Sequence, residues 1–194
     1  EFFAYKMDDR YAAGSNVRKM QADLKNVDPK GDAELKAALD LVASWNGAAD
    51  MENRAAALTI FTGQAIMGSQ IHGTYDRAKA LVALKETAAL LKTATGRIDP
   101  KWSEVSRVAR GGKSWPTDGG PDTLRAVYAG GDLAKDKFRS GRAGDTYVAM
   151  ADWAPDGTCT IDTIHQYGSA TIDASSPHYA DQAPNFAAKQ FKRP

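Results

Sequence analysis

Cysteine is nearly absent from this chain of 194 residues; Cys159 stands alone. A single thiol excludes an internal disulfide and any multi-cysteine metal site. It does not identify the compartment. Excess charge is missing as well. The 25 lysines and arginines meet 24 aspartates and glutamates, leaving a net +1 with the two signs interspersed. That excludes the clustered basic stripe of a dedicated nucleic-acid surface, so no nucleic-acid partner is expected. No apolar run approaches the roughly 20 residues that a membrane span needs. The opening Glu1-Phe2-Phe3 has neither the basic n-region nor the apolar h-region of a signal peptide. This fits a cytosolic protein, and equally one whose front has been removed. There is no internal repeat and no low-complexity linker.

What is present is an ordinary globular composition, 43% hydrophobic. The length suits one large domain or two small ones. Residues 1 to about 100 read as helical. In "DAELKAALDLVASW", Leu35, Ala38, Leu39, Val42 and Trp45 recur at helical spacing and form one apolar stripe, predicting a helix over 34–45. Asp32 is placed to cap its start, and Asn46-Gly47 offers a left-handed stop. "ENRAAALTIFTGQAI" is a second helix by its alanine content, with Leu58 near Phe61. "TYDRAKALVALKETAALLK" predicts a third over 74–92, with Ala78, Leu81, Val82, Lys85, Ala88 and Leu91 on one face and Gly96 after its end. Such helices need another layer to cover their stripes.

The texture changes after Pro100. "GGKSWPTDGGPDTLRAVYAGG" is dense in glycine and proline and reads mostly as loop and turn. Tyr147–Trp153 and Thr158–Tyr167 then read as two strands, with Val148 and Met150 alternating with Tyr147, Ala149 and Ala151. "APDG" between them is a hairpin turn in which Gly157 is free to take a positive φ. "SPHYADQAPNFAAKQF" reads as a short helix or an extended cover. The chain thus divides into mainly helical cover (1–100), a Gly/Pro-rich connection (101–144), and sheet strands with a closing segment (145–194). Two or three strands make a poor sheet by themselves. This implies that the missing strands belong to another chain.

Several patterns stop short of chemistry. "RGGKSW" ends like a phosphate-binding loop, but the pattern needs glycine five residues before Gly112, where Arg107 stands. His165, His178 and Asp181 could in principle hold a metal, yet no helix-spaced histidine pair such as H-E-x-x-H is present, and zinc wants three close ligands of fixed geometry. A histidine bonded to local backbone is the simpler reading of each. "SSPHYAD" holds serine, histidine and aspartate, but near neighbours rarely converge as a hydrolytic triad, and there is no G-x-S-x-G elbow. Gly14-Ser15-Asn16 resembles the cleavage context of an N-terminal nucleophile. The following "NVRKMQADL" is charged and helix-prone, so Ser15 reads as a helix N-cap. Asp99-Pro100, Asp118-Gly119-Gly120 and Asp156-Gly157 are turn formers. Trp45, Trp102, Trp115 and Trp153 read as core or interface anchors. No catalytic, cofactor-binding or metal-binding residue is assigned from these motifs.

Three longer stretches carry a resemblance. "LVASWNGAADMENRAAAL" resembles the Trp-Asn/Asp-Gly segment and Ala-rich helix found late in penicillin acylase relatives. "RVARGGKSWPTDGGPDTLRAVYAGG" is similar to a stretch near the end of acyl-homoserine lactone and aculeacin-type acylases. "GDTYVAMADWAPDGTCTIDTIHQYGSATIDASSPHYADQAPNFAAKQF" resembles their closing hairpin, with "GSAT…SPHYADQ" the most specific part. The matches run in family order from about residue 35 to 191.

The resemblance implies an N-terminal-nucleophile hydrolase: an αββα sandwich cut from one precursor into α and β subunits. It also implies a serine at the start of the β subunit that attacks an amide carbonyl. An asparagine and backbone N–H groups would hold the oxyanion. Here the chain starts at Glu1, and the family's serine, histidine and asparagine map onto no position. The expectation is therefore an α+β fold, the C-terminal portion of the sandwich, with the α subunit and the rest of the β subunit as partners. The implied activity is removal of acyl chains from small N-acyl compounds. Acyl-homoserine lactones lead (the chemistry of quorum quenching), with β-lactams and lipopeptides as related substrates. No cofactor is expected; some relatives hold structural Ca²⁺, but no oxygen-ligand cluster of that kind is visible in the sequence. Relatives are exported, so the implied location is periplasmic or secreted. A reading from another class stays open beside it: a stand-alone helical interaction module capped by a hairpin.

Overall fold

In the computed structural model, residues 1–68 and 71–193 are described. Helices come first: α1 (Phe2–Lys6), α2 (Asn16–Leu24), α3 (Ala33–Ser44), α4 (Ala56–Met67) and α5 (Arg77–Thr95). Local chemistry sets their ends. Ser15 Oγ accepts from Arg18 N at 3.4 Å, and Asp32 Oδ1 accepts from Leu35 N at 2.9 Å, so both expected caps form. Gly96 ends α5 in the left-handed region at φ 81° and donates to Lys92 O.

The α3 stripe is buried as its spacing predicts: Leu35, Ala38, Leu39, Val42, then Trp45 beyond the last turn. The expected face of α5 is corrected. Its buried line is Ala80, Ala83, Leu84, Thr87, Leu91 and Ala94, while Val82 is 58% exposed and Lys85 reaches out to Asp32 at 3.1 Å. Apolar residues ring most of this helix, so periodicity alone does not choose the face. Small side chains at 80, 83 and 87 leave room for α4. That helix is buried without a break from Ala56 to Gln64 and is central to the layer.

The segment read as Gly/Pro-rich connection holds α6 (Trp102–Val105), β1 (Ser106–Arg110), β2 (Lys113–Pro116), β3 (Val127–Gly130), α7 (Leu133–Asp136) and β4 (Arg139–Gly144). This corrects the expectation of loop and turn. Its strands form one sheet in the order β2-β1-β4-β3. The β1–β2 hairpin turns on Gly111 and Gly112, both at positive φ, so the glycines serve a tight turn. β1 and β4 pair in parallel, Ser106 opposite Arg139, and β3–β4 pair antiparallel with an irregularity at Tyr128/Ala129. β5 (Tyr147–Trp153) and β6 (Cys159–His165) form a separate sheet of two strands, joined through Gly157 at φ 85°. α8 (Ala183–Ala187) closes the chain. Helices and mixed sheets together make an α+β fold, compatible with part of an N-terminal-nucleophile hydrolase.

The described residues form two cores. The larger joins α2 to α6 through residues such as Met20, Leu58, Phe61, Leu84 and Trp102. The smaller lies under the sheets and consists of Met7, Val108, Val127, Val148, Ile164, Ala183 and Phe186. Residues 7–11 connect them as a strap. Met7 sits in the small core and Tyr11 in the large one, where its ring meets Trp45 edge-on at 5.3 Å. Between them Asp8 O accepts from Arg125 N at 2.8 Å and Asp9 O accepts from Ala49 N at 3.0 Å.

Candidate functional site

The residues singled out in the sequence do not converge. The Gly-Lys-Ser run lies in the β1–β2 hairpin, with a strand after it where a phosphate loop requires a helix. Ser15 is engaged as the cap of α2. His165 is on β6, edge-on to Tyr147 at 5.9 Å, with its Nδ1 buried and without a hydrogen-bond partner among the described residues. His178 Nδ1 lies 3.0 Å from Asp181 Oδ2, but the serines turn elsewhere. Ser175 Oγ donates to Asp173 at 2.6 Å, and Ser176 Oγ accepts from the His178 backbone. The hydrogen bond from His178 holds Asp181 below the usual carboxylate range. No group of three or more His, Cys, Asp or Glu suited to a metal occurs among the described residues.

The closing motif is instead locked down as structure. Arg110 stacks over Tyr179 at 3.8 Å and Tyr167 at 4.9 Å, while donating to Thr171 O and Tyr179 O. Ala170 N donates to His178 O, and Gln182 N to Tyr167 O. Gly168 sits where a Cβ would collide with the His178 carbonyl, which explains glycine there. This packing seats α8 against β1, β2 and β6.

A second feature escaped the sequence. Arg125 is fully buried, stacks on Phe186 at 4.0 Å, donates from Nη2 to Phe186 O at 2.6 Å, and pairs through Nε with Asp118 at 3.2 Å. Lys189 closes on the other oxygen of Asp118. Asp9 borders the cluster, and burial, then the charge of Asp118, raises its carboxyl above the usual range. Positions 9 and 189 lie far in the chain from 118 and 125, and Asp118 read only as a turn former. No short motif announces them.

The third feature is a surface. Residues directly opposed across an antiparallel pair share a face. Tyr147 opposes His165, Ala149 opposes Thr163, Ala151 opposes Ile161, and Trp153 opposes Cys159. On that face Trp153 is 67% exposed, Tyr147 59% and Ile161 44%. The opposite face sends Val148, Met150 and Ile164 into the small core. The outer edge of β6 is partly occupied, because Thr163 and Lys192 exchange two backbone hydrogen bonds. The outer edge of β5 has no strand partner among the described residues. Exposed apolar side chains beside an open edge make a surface on which further chain can pack or pair.

The family model described as penicillin amidase matches residues 1–193, and the chain belongs to that family. No curated protein matches it. The family's general chemistry is acyl-amide hydrolysis by an N-terminal nucleophile, and its members are typically processed into subunits. Members are typically periplasmic or secreted. No described helix is long and apolar enough to cross a membrane.

Proposed function

We propose that this chain is the scaffold portion of an N-acyl amidohydrolase whose nucleophilic serine lies on another segment of the same precursor. The carrying observation is the bare face of the β5–β6 hairpin, with Tyr147, Trp153 and Ile161 exposed beside an unpaired edge. Covering one such side chain is worth about 1.5–3 kcal/mol. The hairpin's part is to extend the sheet on which the nucleophile stands. The helical layer and the Arg125 cluster hold the hairpin in register. His165 and His178 are structural in this reading.

The substrate class is N-acyl compounds, with acyl-homoserine lactones first and penicillin-type β-lactams second. The closing "GSAT…SPHYADQ" stretch supports the homoserine-lactone and aculeacin-type branch. A periplasmic or secreted location follows the family's habit. Two assays on the complete processed enzyme test this. A mass spectrum of the intact assembly should show a companion polypeptide beginning with serine; a chain found alone supports the stand-alone module instead. Release of fatty acid from an acyl-homoserine lactone should outpace penicillin cleavage; the reverse order moves the enzyme to the β-lactam branch.

A further inference from the structure

We propose a small-molecule carboxylate site centred on Arg139, in the cleft where α4 and α5 meet the ends of β3 and β4. The cleft measures about 400 Å³ and has Phe61, Ala65, Leu90 and Ala129 on its walls. Arg139 lies against Phe61 with its guanidinium carbon 4.2 Å from the ring centroid. Among the described residues one hydrogen bond serves this guanidinium, from Nη1 to Gln64 Oε1 at 2.7 Å, and Nε is buried without a partner. No carboxylate of the described residues comes within ion-pair distance of it, although Glu86 stands on the cleft wall.

This sets Arg139 apart from Arg125, whose burial is matched by Asp118. A partly buried guanidinium without an acid is electrostatically underserved, and its planar fork suits a carboxylate. The burial that lowers the pKa of Arg139 works in the same sense. The ligand's character follows from the walls. Aliphatic and aromatic carbons beside the guanidinium accept an apolar body, and Gly130 and Gly131 line the same cleft. Glu86 opposes a dianion, so a monocarboxylate fits better than a phosphate. The ligand class is thus a short aliphatic monocarboxylic acid. The site is separate from the hairpin face and does not depend on the amidohydrolase reading.

The test is calorimetric titration of the purified protein, with whatever segments accompany it, against hexanoate, hexanol and inorganic phosphate. Hexanoate should bind, with hexanol and phosphate at least tenfold weaker. Arg139→Gln should weaken hexanoate at least tenfold. Ala65→Trp, which narrows the cleft from an exposed position and leaves Arg139 in place, should also weaken it. The two variants together guard against a loss caused by misfolding, and circular dichroism melting checks each. Absence of hexanoate binding, binding equal to that of hexanol or phosphate, or unchanged affinity in folded Arg139→Gln enzyme overturns the proposal.

Discussion

The two cores of this chain are built to different degrees of completion. The helical core encloses α4 from Ala56 to Gln64 and buries Trp102, Leu58, Ile60 and Leu84 almost completely. The sheet core is smaller, joining β1, β3, β5 and β6 to α8, and on the other face of the hairpin Tyr147, Trp153 and Ile161 are exposed. One half closes around itself. The other is half-covered, and its open face is the part that the amidohydrolase reading assigns to a neighbouring segment. The difference separates residues that hold the chain together from apolar residues that none of the described residues covers.

The largest effect should come from breaking the closed half. Trp102 packs its ring against Phe61 at 5.4 Å and donates from Nε1 to Gly119 O at 2.8 Å. Trp102→Ala should cost about 4 kcal/mol, read by denaturant unfolding. It should do so whether or not other segments are present. A cost equal to that of an exposed residue would erase the contrast between the cores.

Next comes the joint between the halves. Arg125→Met leaves Asp118 buried with only Lys189 beside it and should cost about 3 kcal/mol. Adding Asp118→Leu should recover part of that loss, because a buried pair replaced by apolar groups is tolerated better than a broken one. Strict additivity of the two single losses would show that Arg125 and Asp118 do not act as a pair.

Trp153→Ala sharpens the comparison from the open side. In the chain alone it should change stability by under about 0.5 kcal/mol, as an exposed substitution does. In the complete enzyme it should cost about 2 kcal/mol through lost burial. Equal small effects in both settings would mean that the face stays bare.

The smallest effect is on pH dependence and belongs to the strap. The carboxyl of Asp9 titrates higher in the folded chain than unfolded, because of burial and then Asp118. Its favourable contribution is therefore complete below the ordinary carboxylate pKa and is lost as pH rises through the raised, folded value. Asp9→Asn should raise the melting temperature at pH 7 and leave it nearly unchanged at the acid end of that window. A melting temperature lowered at pH 7 would reverse the sign and show that the ionised carboxylate is stabilising.

Much of the helical half was legible because it rests on local rules. Ser15 and Asp32 cap as their types suggest, Gly96 stops α5, and the α3 stripe is buried residue for residue. The hairpin at 147–165 was legible by alternation and by Asp156-Gly157. The face of α5 was not, since alanines around the helix blur its period and the position of α4 decides. The sheet of β1 to β4 was not legible either. Its strands are short, "RSGRAG" and "KSWP" carry little apolar signal, and the parallel β1–β4 pair is joined across distant sequence. The Arg125 cluster joins the 118–125 loop to positions 9 and 189, which only folding brings together. The recognisable closing motif was legible as a string, but its histidine and aspartate pair with each other at the surface with no serine joined to them, and do not form a triad.

Amide hydrogen exchange along β5 gives the most direct reading of the open half. If another segment of the precursor completes this sheet, the amides of Tyr147–Trp153 that face away from β6 should exchange quickly in the chain alone. In the complete processed enzyme they should be slowed by orders of magnitude. Equally fast exchange of those amides in both would contradict a scaffold role for the hairpin.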